Sequence, residues 1–398
     1  MTSHPPSSIL NPRRVLVRGP NWLGDAVMTT PALLRLRETS PRAHIALLTP
    51  VKLAALWENH PAIDEIISFK AGENVFSVGQ KLRAGDFDLA LVLPNSQRSA
   101  IEAWLAGIPQ RIGYARPWRD FFLTQIITER PGAVRMRKLS VAEIKRRTDV
   151  SPVSKIITGN IETGEMPVLQ PTAHQIHEYL HLAAALGANP EPVAPRLEVG
   201  ANEVPGLDWS LPPQGRRAEY VIGLNPGAEY GPAKRWPVEK FAAAANELYR
   251  RMSCEFLIFG GKGDIPLANE LCELLPVPKA NGHLVSLAGI TDLRDLMAGL
   301  KICSVLLTND TGPMHVAAAL GTPVVVPFGS TSPELTGPGL PGDPRHRLLK
   351  SDAPCSPCFR RECPIDFRCM NGISVETVLE AVLAVLAGTS PEEERHKR

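Results

Sequence analysis

Val221–Pro237, VIGLNPGAEYGPAKRWP, is the stretch whose reading decides the fold. It opens with Val221-Ile222-Gly223-Leu224, short and apolar enough for a buried strand. It breaks at Asn225-Pro226-Gly227 and again at Gly231-Pro232, both dense turn signals. The cations Lys234-Arg235 follow, Trp236-Pro237 closes the loop, and Val238–Arg251 has the pattern of a helix. A strand, a glycine-bearing loop with two cations and a helix N-terminus form a common phosphate cradle. Backbone N–H groups and the helix dipole face the anion, and a lysine adds a point charge. From this stretch alone, an ordinary loop with a solvated Lys and Arg is the competing reading.

Toward the C terminus the same unit recurs. A strand at Glu255–Phe259 ends in Gly260-Gly261-Lys262-Gly263-Asp264, with a helix at Ile265–Leu275. Asp264 fits either a ribose hydroxyl contact or plain turn chemistry. A strand at Ile302–Leu307 ends in Thr308-Asn309-Asp310-Thr311-Gly312-Pro313, and Met314–Leu320 is helical. Asp310 or Thr311 suits a helix cap, Gly312 permits close approach and Pro313 sits in the first turn. Two helix starts, near Lys234 and Gly312, make two walls of one anion pocket at the C-terminal edge of a parallel sheet.

Toward the N terminus, strands at Arg13–Arg18, His44–Leu48, Glu65–Ser68 and Leu89–Leu93 alternate with helical stretches. Strands alternating with helices imply a parallel sheet wound on both faces, with ligands beyond the strand C-termini. That places Gly19–Asp25 and Pro94–Arg98 on one functional edge. Gly19 and Gly24 have the spacing of a P-loop, but Asp25 stands where that motif needs a lysine, and GxGxxG is absent from both halves. Asp25 reads as a helix N-cap or as a general base. His174, His177 and His181 lie opposite the apolar face of a helix at Thr172–Leu186, and no nearby Cys or carboxylate completes a metal set.

The 398 residues suffice for two or three domains, and 44% hydrophobic with 21% charged residues is an ordinary globular composition. A net charge of +2 does not mark a nucleic-acid binder. No apolar run reaches the ~18 residues of a membrane span, and the polar, proline-rich start lacks a signal-peptide core, so the expected location is cytoplasmic. The expected plan is a disordered tail (1–12), a first doubly wound parallel-sheet domain (13–188), a linker (189–215) and a second such domain (216–372). A helix (373–387) and a charged tail (388–398) complete it.

GPNWLGDAVMTTPAL (19–33), VLPNS (92–96), NPGAEYGPAKRWP (225–237), SLAGITDL (286–293) and TNDTGPMHVAAALGTP (308–323) are similar, in that order, to the motifs of the ADP-heptose:lipopolysaccharide heptosyltransferases of glycosyltransferase family nine. The resemblance spans most of the chain. It implies a GT-B α/β fold, two Rossmann-like doubly wound parallel-sheet domains facing a cleft, and inverting transfer of heptose from ADP-L-glycero-D-manno-heptose without metal or cofactor. The NPGAEYGPAKRWP motif most resembles the branch acting on the first heptose of the inner core. On this resemblance Asp25 is the catalytic base and Lys234 contacts the diphosphate. Gly227, Ala228, Asp264, Asp310, Thr311, Gly312 and His315 line the donor pocket. Asn95, Ser96 and Arg98, with the Arg111–Arg119 group, face a phosphorylated, lipid-linked lipopolysaccharide acceptor at the inner face of the inner membrane. A transferase for another core position, a catalytically silent nucleotide-sugar binder and a nicotinamide oxidoreductase are the alternatives; the missing GxGxxG speaks against the last.

Cys355, Cys358, Cys363 and Cys369 fall within fifteen residues, a pattern that fits either zinc or reduced, redox-linked thiols. The helix at Val375–Leu386 is expected to pack back on the first domain.

Overall fold

A computed structural model describes residues 12–149, 171–200, 203 and 218–388. The expected tails at 1–11 and 389–398, the loop at 151–170 and most of the linker at 189–215 lie outside the described residues. The chain forms two compact units, the first of 12–133 and 174–200, the second of 134–149, 171–173, 203 and 218–388.

In the first unit the strands are β1 (Arg14–Arg18), β2 (His44–Pro50), β3 (Glu65–Phe69), β4 (Leu89–Val92), β5 (Gln110–Tyr114) and β6 (Gln125–Ile127). They form one sheet in the order β3-β2-β1-β4-β5-β6, and each neighbouring pair is parallel. Val17 is paired with Leu47 on one side and Leu91 on the other. Its helices are α1 (Leu23–Met28), α2 (Thr30–Thr39), α3 (Val51–Ala54), α4 (Val75–Arg83) and α5 (Gln97–Leu105), with a later helix at Ile176–Ala184. Covered on both faces, the strands are near-continuous apolar runs; all of Leu89–Val92 is buried. Residues 189–200, assigned from sequence to the linker, partly lie along this unit: Arg35 donates to the Glu191 carbonyl and Arg196 N–H to Thr30 Oγ1.

In the second unit α6 (Val141–Asp149) precedes α7 (Ile176–Ala184, of the first unit) in the chain, and then come β7 (Tyr220–Asn225), β8 (Cys254–Ile258), β9 (Leu284–Ser286), β10 (Val305–Thr308), β11 (Val324–Phe328) and β12 (Arg347–Lys350). Their sheet runs β12-β11-β10-β7-β8-β9, again parallel throughout. Read from β9, it repeats the order of the first sheet. Each sheet therefore reverses direction once, between β1 and β4 and between β7 and β10. In doubly wound sheets the ligand crevice opens at that reversal, beyond the strand C-termini.

Around the second sheet lie α8 (Val238–Arg251), α9 (Ile265–Glu273), α10 (Pro276–Ala280), α11 (Leu293–Ile302), α12 (Gly312–Ala319), α13 (Pro333–Thr336), α14 (Arg368–Asn371) and α15 (Val375–Gly388). In α8, Val238, Phe241, Ala242, Ala245 and Leu248 bury one face at helical spacing, and Arg250 and Arg251 complement the C-terminal end of the dipole. α12 is buried almost all round, and its run of alanines lets it lie close to the sheet.

Two expectations are corrected here. α15, expected on the first domain, packs against α8 and β10–β12 of the second unit, where Val378, Leu379, Val382, Val385 and Leu386 complete that unit's core. Lys240 Nζ fixes the approach to this helix by donating to the carbonyls of Asn371 and Ile373, at 2.6 and 2.9 Å. The stretch 134–149, read as part of the first domain, belongs to the second unit, where Leu139 and Ile144 bury themselves against Cys355 and Cys358.

Candidate functional site

At the reversal of the second sheet, the loops after β7 and β10 meet. Asn309, fully buried, ties them together. Its Oδ1 accepts the Trp236 N–H at 2.9 Å, and its Nδ2 donates to the Pro226 carbonyl at 2.7 Å. Asn225 Nδ2 reaches Thr308 Oγ1 one step earlier, at 2.9 Å. Trp236, itself buried, anchors the far end of the loop by donating its indole N–H to the Ile373 carbonyl. With its ends fixed, the loop presents Lys234. Lys234 Nζ donates to Asp310 Oδ2 at 2.6 Å and lies 4.9 Å from the centre of the Tyr230 ring. Thr331, after β11, also donates to Asp310 Oδ2. Both bonds fall on one carboxylate oxygen, and Asp310 is 4% exposed.

Gly227 has a steric reason. A Cβ there would lie 2.4 Å from the Asp264 carboxylate carbon, so the loop can cross Asp264 only as glycine. Asp264 shows the turn chemistry foreseen for it: Oδ2 accepts the Gly261 N–H at 3.0 Å. It also lies beside the cation pair, 4.0 Å from Arg235. Ala228 is buried, and Arg235 donates to its carbonyl. Gly312 begins α12, and His315 is buried on its first turns. Neither Asp310 nor Thr311 caps α12 through its side chain; the Asp310 carboxylate is held by Lys234 and Thr331 instead. Lys234 ends a short 3₁₀ turn, Pro232–Lys234, and α8 starts four residues later, so no α-helix begins at Lys234 itself.

The cysteine-rich segment supports this loop. Tyr230 Oη donates to the Phe359 carbonyl at 2.9 Å, Ala233 N–H to the Arg361 carbonyl at 3.0 Å, and the Arg361 guanidinium lies 5.1 Å from the Tyr230 ring centre. Gly231 has φ 147°, and a Cβ on it would meet the Arg361 carbonyl at 2.6 Å, so only glycine permits this approach. Cys355, Cys358 and Cys369 are buried. Burial pushes their thiols up, Cys369 to about 12, with the neighbouring cysteines adding to it. As arranged they are protonated core side chains. Among the described residues no three His, Cys, Asp or Glu side chains are grouped as a metal site requires.

At the reversal of the first sheet, Asp25 follows β1 and Asn95 and Ser96 follow β4. Asp25 is not the N-cap of α1; Trp22 holds that position, and Asp25 sits in the first turn. Its Oδ1 accepts the Gln175 amide at 3.2 Å, and the same amide donates to Tyr179 Oη at 3.0 Å. Burial raises the Tyr179 phenol well above its ordinary range, and the Asp25 charge pushes the same way. The loop carrying Asp25 is fixed by a buried ion lock. Arg18 Nε donates to Glu102 Oε2 at 2.8 Å with both side chains inaccessible, while its NH1 reaches the Gly19 carbonyl and Asn21 Oδ1. Burial lowers the Arg18 guanidinium against the pull of Glu102.

Arg98 joins this lock, donating to Glu102 Oε1 at 2.7 Å and to the Glu73 carbonyl. Ser96 Oγ is occupied as the cap of α5, accepting from Ser99 N–H. Asn95 Oδ1 accepts from Arg119 NH1 at 3.3 Å. Arg119 is inaccessible, burial pushes it down to about 10, and its Nε and NH2 have no hydrogen-bond partner among the described residues. His174, placed from periodicity on the polar face, is buried and accepts the Ile176 N–H, and His181 bonds to Tyr114 Oη at 2.9 Å. These two histidines do structural work on separate partners.

Sequence reasoning missed Asn309, Thr331, Trp236, Tyr230 and Arg361 in the second unit, and Gln175, Arg18 and Glu102 in the first. Asn309 adjoins Asp310, so a buried amide was there to be suspected. Gln175 carries no local signal, since it lies 150 residues from Asp25.

A family model described as glycosyltransferase family 9 (heptosyltransferase) matches residues 75–139 and 166–367. The chain is 30% identical over 340 residues to the lipopolysaccharide heptosyltransferase 2 of Salmonella typhimurium, covering 82% of this chain and 85% of that one. It is 29% identical over 337 residues to the lipooligosaccharide heptosyltransferase 2 of Haemophilus influenzae, covering 81% and 85%. Its fold is similar to that of Escherichia coli ADP-heptose lipopolysaccharide heptosyltransferase II, with a TM-score of 0.71, 27% identity and coverage of 94% and 99%. With the twin reversals and the lysine-bearing loop, these matches assign the two units to the GT-B arrangement, and the chain belongs to glycosyltransferase family 9, the heptosyltransferases.

Proposed function

We propose that this chain is the second heptosyltransferase of the lipopolysaccharide inner core, moving heptose from ADP-L-glycero-D-manno-heptose to the first core heptose with inversion. The observation that carries this reading is Lys234, fixed by Asp310 at the reversal of the second sheet. A diphosphate leaving group needs a pre-positioned cation there, because charge develops on it as the glycosidic bond breaks.

In this reading, Gly227 and Ala228 offer backbone N–H groups to the phosphates beside Lys234. Asp310, whose Oδ2 is taken by Lys234 and Thr331, accepts from a sugar hydroxyl through Oδ1. Asp264, Thr311, Gly312 and His315 complete the donor side. Asp25 takes the proton from the acceptor hydroxyl as its oxygen attacks the anomeric carbon and the bond to the β-phosphate oxygen breaks. ADP departs with the bonding pair, and Gln175 orients the base. Asn95, Ser96 and Arg98 border the acceptor. The two unpartnered nitrogens of Arg119 support an anionic acceptor group in the same place.

Among the described residues no helix is long and apolar enough to cross a membrane. Peripheral attachment to the inner face of the inner membrane is therefore part of the proposal, required by a lipid-linked acceptor. Transfer from ADP-heptose to two purified truncated cores tests the whole reading. Product from the core with one heptose, and none from the heptose-free core, is expected. Product from the heptose-free core makes the enzyme the first transferase, and product from neither overturns the acceptor assignment.

A further inference from the structure

The two cations of the loop after β7 are already matched by carboxylates. Lys234 meets Asp310 at 2.6 Å, and Arg235 faces Asp264 at 4.0 Å. Each pair taken as a whole is close to neutral. A diphosphate brings more than one negative charge, so it calls for a further cation that no carboxylate holds.

The cysteine-rich segment brings one. It is fastened on both sides of the sheet reversal. On one side Ser356 Oγ donates to the Gly329 carbonyl at 2.6 Å and Phe359 N–H to the Ser330 carbonyl at 2.7 Å, both in the loop after β11. On the other, the Phe359 carbonyl accepts from the Tyr230 hydroxyl and the Arg361 carbonyl from the Ala233 N–H, both in the loop after β7. β10 lies between β11 and β7 in the sheet, so the segment straddles the strand end that carries Asp310. Phe359, bonded to both loops, has φ 53°, a left-handed conformation that a bulky residue keeps only where its surroundings hold it. Arg361 follows two residues later, its backbone pinned against Gly231 and Ala233.

The Arg361 side chain is exposed and, among the described residues, forms no ion pair. Its guanidinium nevertheless lies 5.1 Å from the centre of the Tyr230 ring, and Lys234 Nζ lies 4.9 Å from the same centre. One exposed ring attracts a cation weakly, and a second cation there meets the repulsion of the first. An anion that both can reach removes that repulsion. The planar guanidinium also offers paired donors to phosphate oxygens, which an ammonium does not.

We propose that Arg361 is a donor-binding residue, gripping the diphosphate of the nucleotide donor together with Lys234. The cysteine-rich segment then takes part in the donor site as the carrier of Arg361. The inference rests on the ADP-heptose reading above and adds a residue to it.

Calorimetry with ADP on the full chain tests it, using the wild type, Arg361→Gln and Arg361→Lys. Arg361→Gln weakens ADP binding roughly ten- to hundredfold, the scale of a charged hydrogen bond. Its affinity also falls less steeply with added salt, because one charge contact is gone. Arg361→Lys recovers part of the affinity and the steeper salt dependence. Urea midpoints are equal for all three, since the side chain is exposed. ADP affinity of Arg361→Gln within about twofold of the wild type overturns the proposal. So does a loss accompanied by a lowered urea midpoint or by an unchanged salt dependence, either of which makes Arg361 a brace for the loop. A wild type that does not bind ADP overturns the donor reading itself. A wild type that binds ADP while the Arg361 comparison fails overturns this inference alone.

Discussion

The two units place a charged group at the same point of the same topology but hold it by opposite means. In the second unit, the ends of the loop bearing Lys234 are tied by uncharged groups, the Asn309 amide, the Trp236 indole and carbonyls of the cysteine-rich segment, while Arg235 lies 4.0 Å from Asp264 and the Arg361 guanidinium 5.1 Å from the Tyr230 ring centre. Among the described residues, the carboxylate bonded to Lys234 itself is Asp310. In the first unit, the loop bearing Asp25 is fixed by a buried cation, Arg18, bonded to a buried anion, Glu102. The difference follows from the expected ligands. A site that receives a diphosphate gains from backbone N–H groups and a cation held in place. In the first unit the loop's cation is committed to Glu102, and the Gln175 amide donates to Asp25.

The comparison is most exposed to failure at Asp25. Asp25→Asn should lower turnover by roughly 10²–10⁴-fold while leaving ADP affinity unchanged, measured by steady-state kinetics and calorimetry; near-normal turnover removes Asp25 from the chemistry. Next in size is the ion lock. Glu102→Gln leaves Arg18 and Arg98 without their anion, and urea unfolding should show a loss of about 3–5 kcal/mol; a change below about 1 kcal/mol would show that the lock does not hold the first unit's loop.

Lys234→Met should weaken ADP-heptose binding and turnover together by roughly 10²-fold. Adding Asp310→Asn should recover part of the binding, because the single variant leaves a buried carboxylate uncompensated. A double variant weaker than the sum of the singles would show that Asp310 contacts the donor more strongly than it serves Lys234.

The smallest effect is common to both units. Burial holds His60 in the first unit and His346 in the second at about 4, below the ordinary value of 6.5. The unfolded chain therefore takes up these protons first as pH falls. Stability is fully present above pH 6.5 and is lost toward pH 4, by up to about 3 kcal/mol for each histidine. Urea midpoints across this range, for the wild type and for His60→Gln and His346→Gln, should show the acid limb reduced in each variant. An unchanged limb in both assigns the acid loss to other groups.

Legibility divided along the same line as the scaffolds. The donor side was readable because its parts are contiguous: Asn225 to Pro237 and Thr308 to His315 each carry turn, cation and helix start within one short stretch. The acceptor side was not, because its support comes from distant positions. Arg18 and Glu102 are 84 residues apart, and Asp25 and Gln175 are 150 apart. The helix caps assigned to Asp25 and to Asp310 failed for one reason. A carboxylate that can cap a helix also serves as an acceptor for a cation or amide arriving from elsewhere, and local sequence does not record that arrival. Placing α15 against the first domain failed likewise, since its apolar face fits any apolar surface and local sequence does not say which unit supplies one.

By itself, the sequence determined that strands and helices alternate into parallel sheets, that Lys234 and Asp310 stand on two glycine-bearing loops at strand ends, and that the chain resembles a family of sugar transferases. These depend on period, turn chemistry and short motifs, which are local. Only the tertiary structure decided that Asn309 joins the two donor loops, that Gln175 holds Asp25, that the cysteine-rich segment buttresses Tyr230–Lys234, and that Arg361 shares the Tyr230 ring with Lys234. Each of these is a meeting between groups far apart in the chain, and that is settled by how the elements pack.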